Sequence, residues 1–309
     1  MSASFPAWAW IAFTLIAASL QAFRTAAQKW LGGRLSTAAA TYVRYLFALP
    51  VAAVWALILI FVFDIEVPVP GAVSFGYAAA NAATQIAGTA FLLLALQSRN
   101  FAVGVAYSKT DVVQAAAFEA LVLGAAITWG AAAGIAIATV AVMVMSFKSG
   151  ARPIEAILEG ITEKAAVYGL LSGASFAISG VMVRAAVINY GDAHLAGAAV
   201  SALVTVLSLQ VVVMGAYLAW RERGAFGAIA RRWKPAAFAG AAGGIGSICW
   251  FLALGLQQVA YVRTLGLVEI LVTIVLSRVL FKEHPRRREI FGIVMLLIGI
   301  ALVLNAGAL

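Results

Sequence analysis

Long apolar segments recur along almost the whole chain and are separated by short polar segments. A helix that crosses a lipid bilayer needs about 20 predominantly apolar residues. Segments of this kind lie at approximately 7–28, 38–62, 72–97, 101–124, 127–147, 166–187, 194–220, 236–257, 260–281 and 288–307. The pattern therefore predicts an all-α membrane protein with ten transmembrane helices.

The composition agrees with a membrane protein. Hydrophobic residues make up 64% of the chain and charged residues 11%, whereas a soluble domain carries about 25% charged residues. A disordered chain, a collagen and a disulfide scaffold are excluded, and the strands of a membrane barrel would be less apolar. The single cysteine, Cys249, excludes an internal disulfide, and only two histidines are present. We therefore expect no metal site and no cofactor.

Positive charges are distributed very unevenly over the connections between the apolar segments. Fifteen of the 21 Lys and Arg residues follow odd-numbered segments, and none lies at either terminus or in the other connections. Because cytoplasmic loops are enriched in Lys and Arg, both termini are predicted to lie outside the cytoplasm. We attribute the net charge of +9 to contact with anionic lipid rather than to a nucleic-acid partner. The expected location is a bacterial-type inner (plasma) membrane.

The second half of the sequence repeats the first. With an offset of 160 residues, the heptapeptides that begin at Phe91 and Phe251 are identical at five of seven positions. Further along, with an offset of 158 residues, Asp111 aligns with Glu269. A nearly constant offset over five apolar segments, with acidic positions coinciding, indicates an internal duplication.

The duplication predicts two five-helix repeats, at 1–150 and 160–309, joined by an interfacial amphipathic segment at 148–165. Because five is an odd number, the second repeat enters the membrane in the opposite orientation. Inverted repeats are the architecture of many secondary transporters, whose substrate site lies near the bilayer midplane between the repeats. The sequence therefore predicts alternating access around a central cavity between the repeats.

Short motifs mark the second repeat. They are Leu-Gly-Leu-Gln-Gln-Val-Ala-Tyr from position 254, Leu267-Val268-Glu269-Ile270, Leu280-Phe281-Lys282-Glu283, and Gly292-Ile293 at the start of an apolar helix. With these motifs, residues 251–304 resemble an EamA-type member of the drug/metabolite transporter superfamily, and residues 91–145 repeat the resemblance more weakly. The resemblance implies ten helices in two inverted five-helix repeats and transport of small metabolites, often as export.

Two features of the chain depart from the family pattern. Many relatives carry a Glu-Pro pair where this chain has Glu269-Ile270 and Asp111-Val112. The first repeat also lacks an acidic residue at its turn, where residues 124–126 are Gly-Ala-Ala. Better-known relatives are drawn with both termini in the cytoplasm, whereas the charge distribution here predicts the reverse.

Two acidic residues, Asp111 and Glu269, fall near the middle of predicted spans. Because a charge inside a bilayer is costly unless it is paired or hydrated, each is a candidate for function. On continuous helices, Tyr107 and Gln114 would share a face with Asp111, and Thr273 would share one with Glu269. These residues predict either a polar cavity lined by two carboxylates, one of which carries a coupling proton, or buried ion pairs that fix helix packing.

Basic residues also fall within the spans, at Lys109, Arg24, Arg44, Arg184 and Arg263. If they face the cavity, the guanidinium groups would bind a carboxylate or phosphate through paired hydrogen bonds. Arg24 and Arg44 lie within reach of the cytoplasmic interface and could instead extend toward the lipid headgroups. On a continuous helix, Lys109 would face away from Asp111, and Glu119 would lie near the outer end and reach water.

Uncharged polar residues and paired glycines in the spans complete the candidate set. Asn81 and Gln85 lie one turn apart and either contact the substrate or form interhelical hydrogen bonds. Trp250 either forms a wall of the cavity or packs in a helix core. The spacing Gly240-x-x-x-Gly244 permits close approach of two helix backbones within one chain.

Ionisable groups at matched depths indicate a secondary active transporter, an exporter or an exchanger, of a small polar metabolite. The five basic residues outnumber the three acidic ones in the spans, which favours an amino acid or an organic anion. No phosphate-binding loop of the type Gly-x-x-x-x-Gly-Lys-Ser/Thr is present, so the transport step is expected to use a gradient or exchange.

Three functions other than metabolite transport remain as alternatives. A flippase for a lipid-linked substrate on the same fold is the first alternative, followed by an integral membrane enzyme and a channel. We find no catalytic cluster and expect no enzyme. The expected partners are a small-molecule substrate, the lipid bilayer and protons as coupling ion, with the chain acting as a monomer or a homodimer.

Overall fold

The computed structural model describes residues 5–32, 35–97, 107–146, 164–281 and 287–307. Over these ranges the chain is all-helical, with 85% of residues in helices and no strand. The helices are α1 (Ala9–Gly32), α2 (Thr37–Phe61), α3 (Ala72–Gln97), α4 (Asp111–Leu123), α5 (Trp129–Ser146), α6 (Lys164–Ile188), α7 (Leu195–Arg221), α8 (Ala225–Ala230), α9 (Trp233–Leu256), α10 (Val259–Gly266), α11 (Val268–Phe281) and α12 (Arg287–Gly307). The predicted all-α class is confirmed.

Several of these helices have the length and composition of membrane spans. Five of the described helices are long and apolar enough to cross a bilayer, namely Ala38–Phe61, Ala72–Ala95, Ala166–Ile188, Leu195–Arg221 and Trp233–Leu256. Three shorter apolar helices lie at Ala9–Arg24, Trp129–Val144 and Ile290–Ala306. The chain is therefore a multi-pass helical membrane protein. Residues 148–163 of the predicted interfacial segment lie outside the described residues.

Two predicted spans are interrupted just before an acidic residue. The segment predicted at 260–281 is divided into α10 and α11 by Leu267, and Glu269 is the second residue of α11. In the segment predicted at 101–124, α4 begins only at Asp111. The prediction of continuous helices at these two places is wrong. Gly266 and Leu267 are as apolar as a helix interior, so hydropathy does not reveal that turn, whereas the turn before Asp111 falls on the polar residues Lys109 and Thr110.

Helix boundaries in the two halves of the chain repeat at a nearly constant spacing. The first residues of α2 and α7 are 158 positions apart, as are those of α5 and α12. Those of α4 and α11 are 157 apart, and those of α3 and α9 are 161 apart. The spacing matches the offsets of 158 and 160 found in the sequence alignment.

One compact unit of the structure comprises Met1–Ala83 and Met182–Gln257. In this first unit, α9 packs against α1, α2 and α7. A Cβ atom on Gly240 would overlap the Cβ atom of Phe47, and Gly244 also lies directly against α2. The predicted close approach at this glycine pair is confirmed.

The second compact unit comprises Thr84–Val181 and Gln258–Leu309. In it, α5 packs along α12, and a Cβ atom on Gly134 would lie 2.7 Å from the carbonyl oxygen of Gly299. Helix α10 contacts α4, α5 and α12. Each unit thus contains helices from both halves of the sequence.

Candidate functional site

An ion pair between α4 and α10 is the first feature of the candidate site, which lies in the second unit. The Nη1 atom of Arg263 lies 3.6 Å from Oδ2 of Asp111, and the two side chains are 22% and 12% exposed, respectively. The Nη2 atom of Arg263 also donates a hydrogen bond of 3.0 Å to the carbonyl oxygen of Phe176 on α6. The sequence identified both charged residues as candidates but not that they form a pair.

The other end of α10 is held by a carboxylate that sequence reasoning placed incorrectly. Glu119 is fully buried, and its Oε2 atom accepts a hydrogen bond of 2.7 Å from the backbone N–H of Val259, the first residue of α10. A carboxylate at this position binds an otherwise unsatisfied N–H group and interacts favourably with the helix dipole. The expectation that Glu119 reaches water is therefore wrong. The only indication of this contact that a sequence can offer is the start of a new helix at Val259.

These two contacts fix the direction of α10 relative to α4. Asp111 at the start of α4 meets Arg263 near the end of α10, while Glu119, two turns further along α4, meets the start of α10. The two helices therefore run antiparallel and are joined at both ends. The short helix α10 is thus held against α4 by two contacts and ends at the break preceding Glu269.

Further charges surround the ion pair. The charges of Lys109 and Glu269 both act on the Asp111 carboxylate. The two acidic residues that align in the repeats thus interact electrostatically within one unit. The expectation that Lys109 faces away from Asp111 assumed a continuous helix, and that assumption is wrong because α4 begins at Asp111.

Hydrogen bonds connect the remaining candidates at the start of α4. The Nε2 atom of Gln114 donates to Oγ1 of Thr110 at 2.7 Å, and the Thr110 hydroxyl donates to the Tyr107 carbonyl oxygen at 2.6 Å. Tyr107 is buried and precedes α4, so it does not share a face of that helix with Asp111. The chain of hydrogen bonds supports the irregular backbone just before Asp111.

Two further candidates belong to the second unit. Gln85 lies half-buried on α3. Thr273 belongs to α11, and its side chain lies outside the part of the chain that the structure describes.

In the first unit, Arg184 serves to terminate a helix. Its Nη1 atom donates hydrogen bonds of 2.8 Å to the carbonyl oxygen of Leu254 and 2.7 Å to that of Gln257, at the C-terminal end of α9. These carbonyl groups have no partner within an α-helix, and the negative end of the helix dipole favours a cation there. The contacts support a structural role for Arg184.

Arg24 and Arg44 extend from α1 and α2 toward the same point on α9. A Cβ atom on Gly243 would lie 3.0 Å from Cδ of Arg24 and 3.9 Å from Cγ of Arg44. Arg24 is 8% exposed and Arg44 is half-buried. The burial of Arg24 among protein atoms argues against the alternative in which it reaches the lipid headgroups.

Asn81 and Trp250 complete the first unit's candidates. Asn81 is fully buried on α3. The Nε1 atom of Trp250 on α9 donates a hydrogen bond of 3.2 Å to Oε1 of Gln21 on α1. This bond favours the packing interpretation of Trp250.

The second unit therefore has a cluster of charged groups formed by Asp111, Arg263, Lys109 and Glu269. Because the Arg263 side chain is 22% exposed, its guanidinium group can bind an anionic group of a ligand in place of Asp111. Within the described part of the chain, no group of three or more His, Cys, Asp or Glu residues could hold a metal ion.

Comparison with known proteins agrees with this architecture. Residues 163–305 match the EamA-like transporter family. No curated protein matches the sequence. One solved structure, titled "Crystal structure of protein", is similar with a TM-score of 0.67 and 12% sequence identity, over 94% of this chain and 95% of that chain. This likeness shows a shared fold. The predicted resemblance to the EamA-type transporters of the drug/metabolite transporter superfamily is confirmed over residues 163–305, which form an EamA-like domain.

Proposed function

We propose that the protein is a secondary active transporter that exports or exchanges a small polar metabolite by alternating access. The observation that carries the proposal is that helices are interrupted directly before both Asp111 and Glu269. In secondary transporters, discontinuous helices place polar backbone and helix ends at the substrate or ion site near the membrane midplane. Two interruptions at positions related by the repeat match this design.

The wider architecture of the proposal is ten transmembrane helices in two inverted repeats, 1–150 and 160–309. The repeated spacing of helix boundaries supports it, because a duplicated five-helix unit produces such a spacing. The uneven distribution of Lys and Arg supports a bacterial-type inner membrane location with both termini outside.

The charges around Asp111 support an amino acid or an organic anion as the cargo. Arg263 and Lys109 offer cationic partners for a carboxylate group, while Asp111 and Glu269 offer partners for an amino group. Because two acidic residues interact here, one of them is our candidate for the group that exchanges a coupling proton. The Asp111–Arg263 contact also fits the alternative of a packing ion pair, because Asp111 is buried. The Arg263 side chain is 22% exposed, which favours a role in the path.

The test is counterflow of a labelled panel of amino acids and organic anions in liposomes. For a panel member that the native protein moves, Asp111→Asn, Glu269→Gln and Arg263→Gln should each lower the rate by about tenfold or more, because each removes a charged hydrogen-bonding partner. The matched controls are Asp192→Asn and Glu66→Gln, which neutralise exposed acidic residues and should leave the rate unchanged. Full activity of all three site variants would contradict the assignment of the path.

Two further experiments test whether transport is coupled to protons and whether the cargo is a soluble metabolite. An imposed pH gradient should accelerate uptake if a carboxylate carries the coupling proton, and an uncoupler should abolish the acceleration. Movement of a lipid-linked probe together with no movement of any soluble solute would contradict metabolite transport and favour the flippase.

A further inference from the structure

A strongly basic segment connects two of the candidate membrane spans in the first unit. Helix α7 ends at Arg221 and α9 begins at Trp233, and both helices are long and apolar enough to cross a bilayer. The connection between them therefore lies at a membrane surface, where the two helices leave the hydrocarbon layer. Residues 220–234, the basic connection, carry five basic residues and one acidic residue, namely Arg221, Arg223, Arg231, Arg232 and Lys234 with Glu222.

The positive charges of the basic connection are accessible at the surface. Four of its five basic residues are exposed, and Arg232 is half-buried. The acidic residue is held by the protein, because Glu222 accepts a hydrogen bond from the hydroxyl group of Ser36, the residue that caps α2. The charge that this surface presents is therefore predominantly positive.

Two exposed tryptophans lie at the two ends of the basic connection. Trp220 near the end of α7 is 72% exposed, and Trp233 at the start of α9 is 56% exposed. The Cζ atom of Arg221 lies 4.8 Å from the centroid of the Trp220 ring, and the Nζ atom of Lys234 lies 5.9 Å from that of Trp233. Because tryptophan is enriched at the headgroup level of membranes, the rings indicate that the adjacent cationic groups lie among phospholipid headgroups.

The middle of the basic connection is packed against the protein. Ala225 and Ile229 of α8 are buried, and the ring of Phe226 contacts that of Tyr42 on α2 edge-to-face, with their centroids 6.0 Å apart. These contacts hold the basic residues on either side of α8 at the surface before any ligand arrives. A surface that is already ordered loses less conformational entropy on binding.

We infer that the basic connection is a docking surface for the headgroups of anionic phospholipids. Their phosphate groups match the guanidinium fork of arginine and the point charge of lysine. Clusters of Lys and Arg directly beside a span bind anionic lipid, and each residue contributes about fivefold in affinity, which corresponds to roughly 1 kcal/mol. The position at the headgroup level favours lipid over an acidic protein or a nucleic acid. The inference goes beyond the proposed function and does not depend on it.

The experiment measures lipid binding rather than transport. Full-length protein in detergent micelles is titrated with phosphatidylglycerol and, separately, with phosphatidylcholine, and bound lipid is counted by native mass spectrometry. Phosphatidylglycerol should bind more tightly than phosphatidylcholine. Arg223→Gln should weaken the binding of phosphatidylglycerol by about fivefold, and the triple variant Arg223→Gln, Arg231→Gln, Lys234→Gln should weaken it by about 100-fold. Neither variant should change the binding of phosphatidylcholine.

Two kinds of control variant test whether the cluster of charges is responsible. Lys164→Gln removes one exposed basic residue at the start of α6, which directly follows Glu163 in the sequence, and should leave the binding of phosphatidylglycerol unchanged. Arg223→Lys with Arg231→Lys keeps both charges and should retain most of the binding. Thermal unfolding identifies any variant that fails to fold; if the triple variant fails, the single variant Arg223→Gln and the Lys variants decide.

The outcomes separate the inference from the proposed function. Equal binding of the two lipids, or binding of phosphatidylglycerol that is unchanged in the folded Gln variants, overturns the inference even if metabolite counterflow is intact. Displacement of phosphatidylglycerol by inorganic phosphate at the same concentration would assign the surface to a soluble anion and overturn it. Tighter binding of a polyglutamate peptide than of phosphatidylglycerol would indicate an acidic protein partner and overturn it as well. Charge-dependent binding of phosphatidylglycerol to a protein without counterflow activity supports the inference and contradicts the proposed function.

Discussion

The coupling energy of the Asp111–Arg263 ion pair can be calculated from its geometry. At 3.6 Å and an effective dielectric constant of about 20, two unit charges attract with roughly 4.6 kcal/mol. Because the side chains are 12% and 22% exposed, water screens part of this attraction and desolvation offsets another part. Exposed pairs contribute about 0–1 kcal/mol, whereas removing one partner of a buried pair costs about 3–5 kcal/mol. We therefore expect a coupling energy of about 1–3 kcal/mol, between these limits.

The assay is a double-mutant cycle on the free energy of unfolding. Asp111→Asn, Arg263→Gln and the double variant are unfolded reversibly in mixed micelles. Each single change should destabilise the protein because it leaves a partly buried charge without its partner, and the double change should cost less than the sum. The exposed pair Asp192→Asn with Arg223→Gln should be additive. Additivity within about 0.5 kcal/mol at the Asp111–Arg263 pair would refute the reasoning.

Other predictions test packing, capping and topology. Gly240→Ala should destabilise the protein by about 1–3 kcal/mol through overpacking, whereas Gly246→Ala should be close to neutral; equal effects on thermal unfolding would contradict the packing of α9 on α2. Glu119→Ala should lower the unfolding temperature more than Glu119→Gln, because Gln keeps an acceptor for the Val259 N–H group; equal unfolding temperatures would argue against the cap. A reporter that is active only in the cytoplasm should be silent when fused to Leu309, and activity would contradict outward termini.

Hydropathy accounts for most of the helix positions. The apolar segments expected at 38–62 and 72–97 correspond to helices at Thr37–Phe61 and Ala72–Gln97, since an apolar run bounded by polar residues has few other structures in a bilayer. The break at Leu267 is invisible to this argument, because Gly266 and Leu267 are as apolar as their neighbours. Breaks of this kind depend on tertiary contacts, such as those that hold α10 against α4.

The candidate site could be predicted residue by residue but not as an arrangement. A charge within a span is conspicuous in the sequence, so Asp111 and Arg263 were identifiable. Their pairing depends on the antiparallel approach of two helices far apart in the chain, which no local pattern encodes. The partners of Glu119 and Arg184 are backbone groups at the ends of helices. Every residue carries such groups, so the sequence does not indicate which of them a side chain contacts.

The central claim is that the two interrupted helices line a water-accessible path across the membrane. Because Cys249 is the only cysteine, a Cys249→Ser protein can carry single cysteines at Gln114 and Val272, each three residues after one of the acidic residues. In proteoliposomes, a membrane-impermeant maleimide should label both positions from each side, and a transported substrate should slow the labelling. The lipid-facing control Val213→Cys, 54% exposed on α7, should remain unlabelled. Failure of both positions to react from either side, in protein that still transports, would contradict the account.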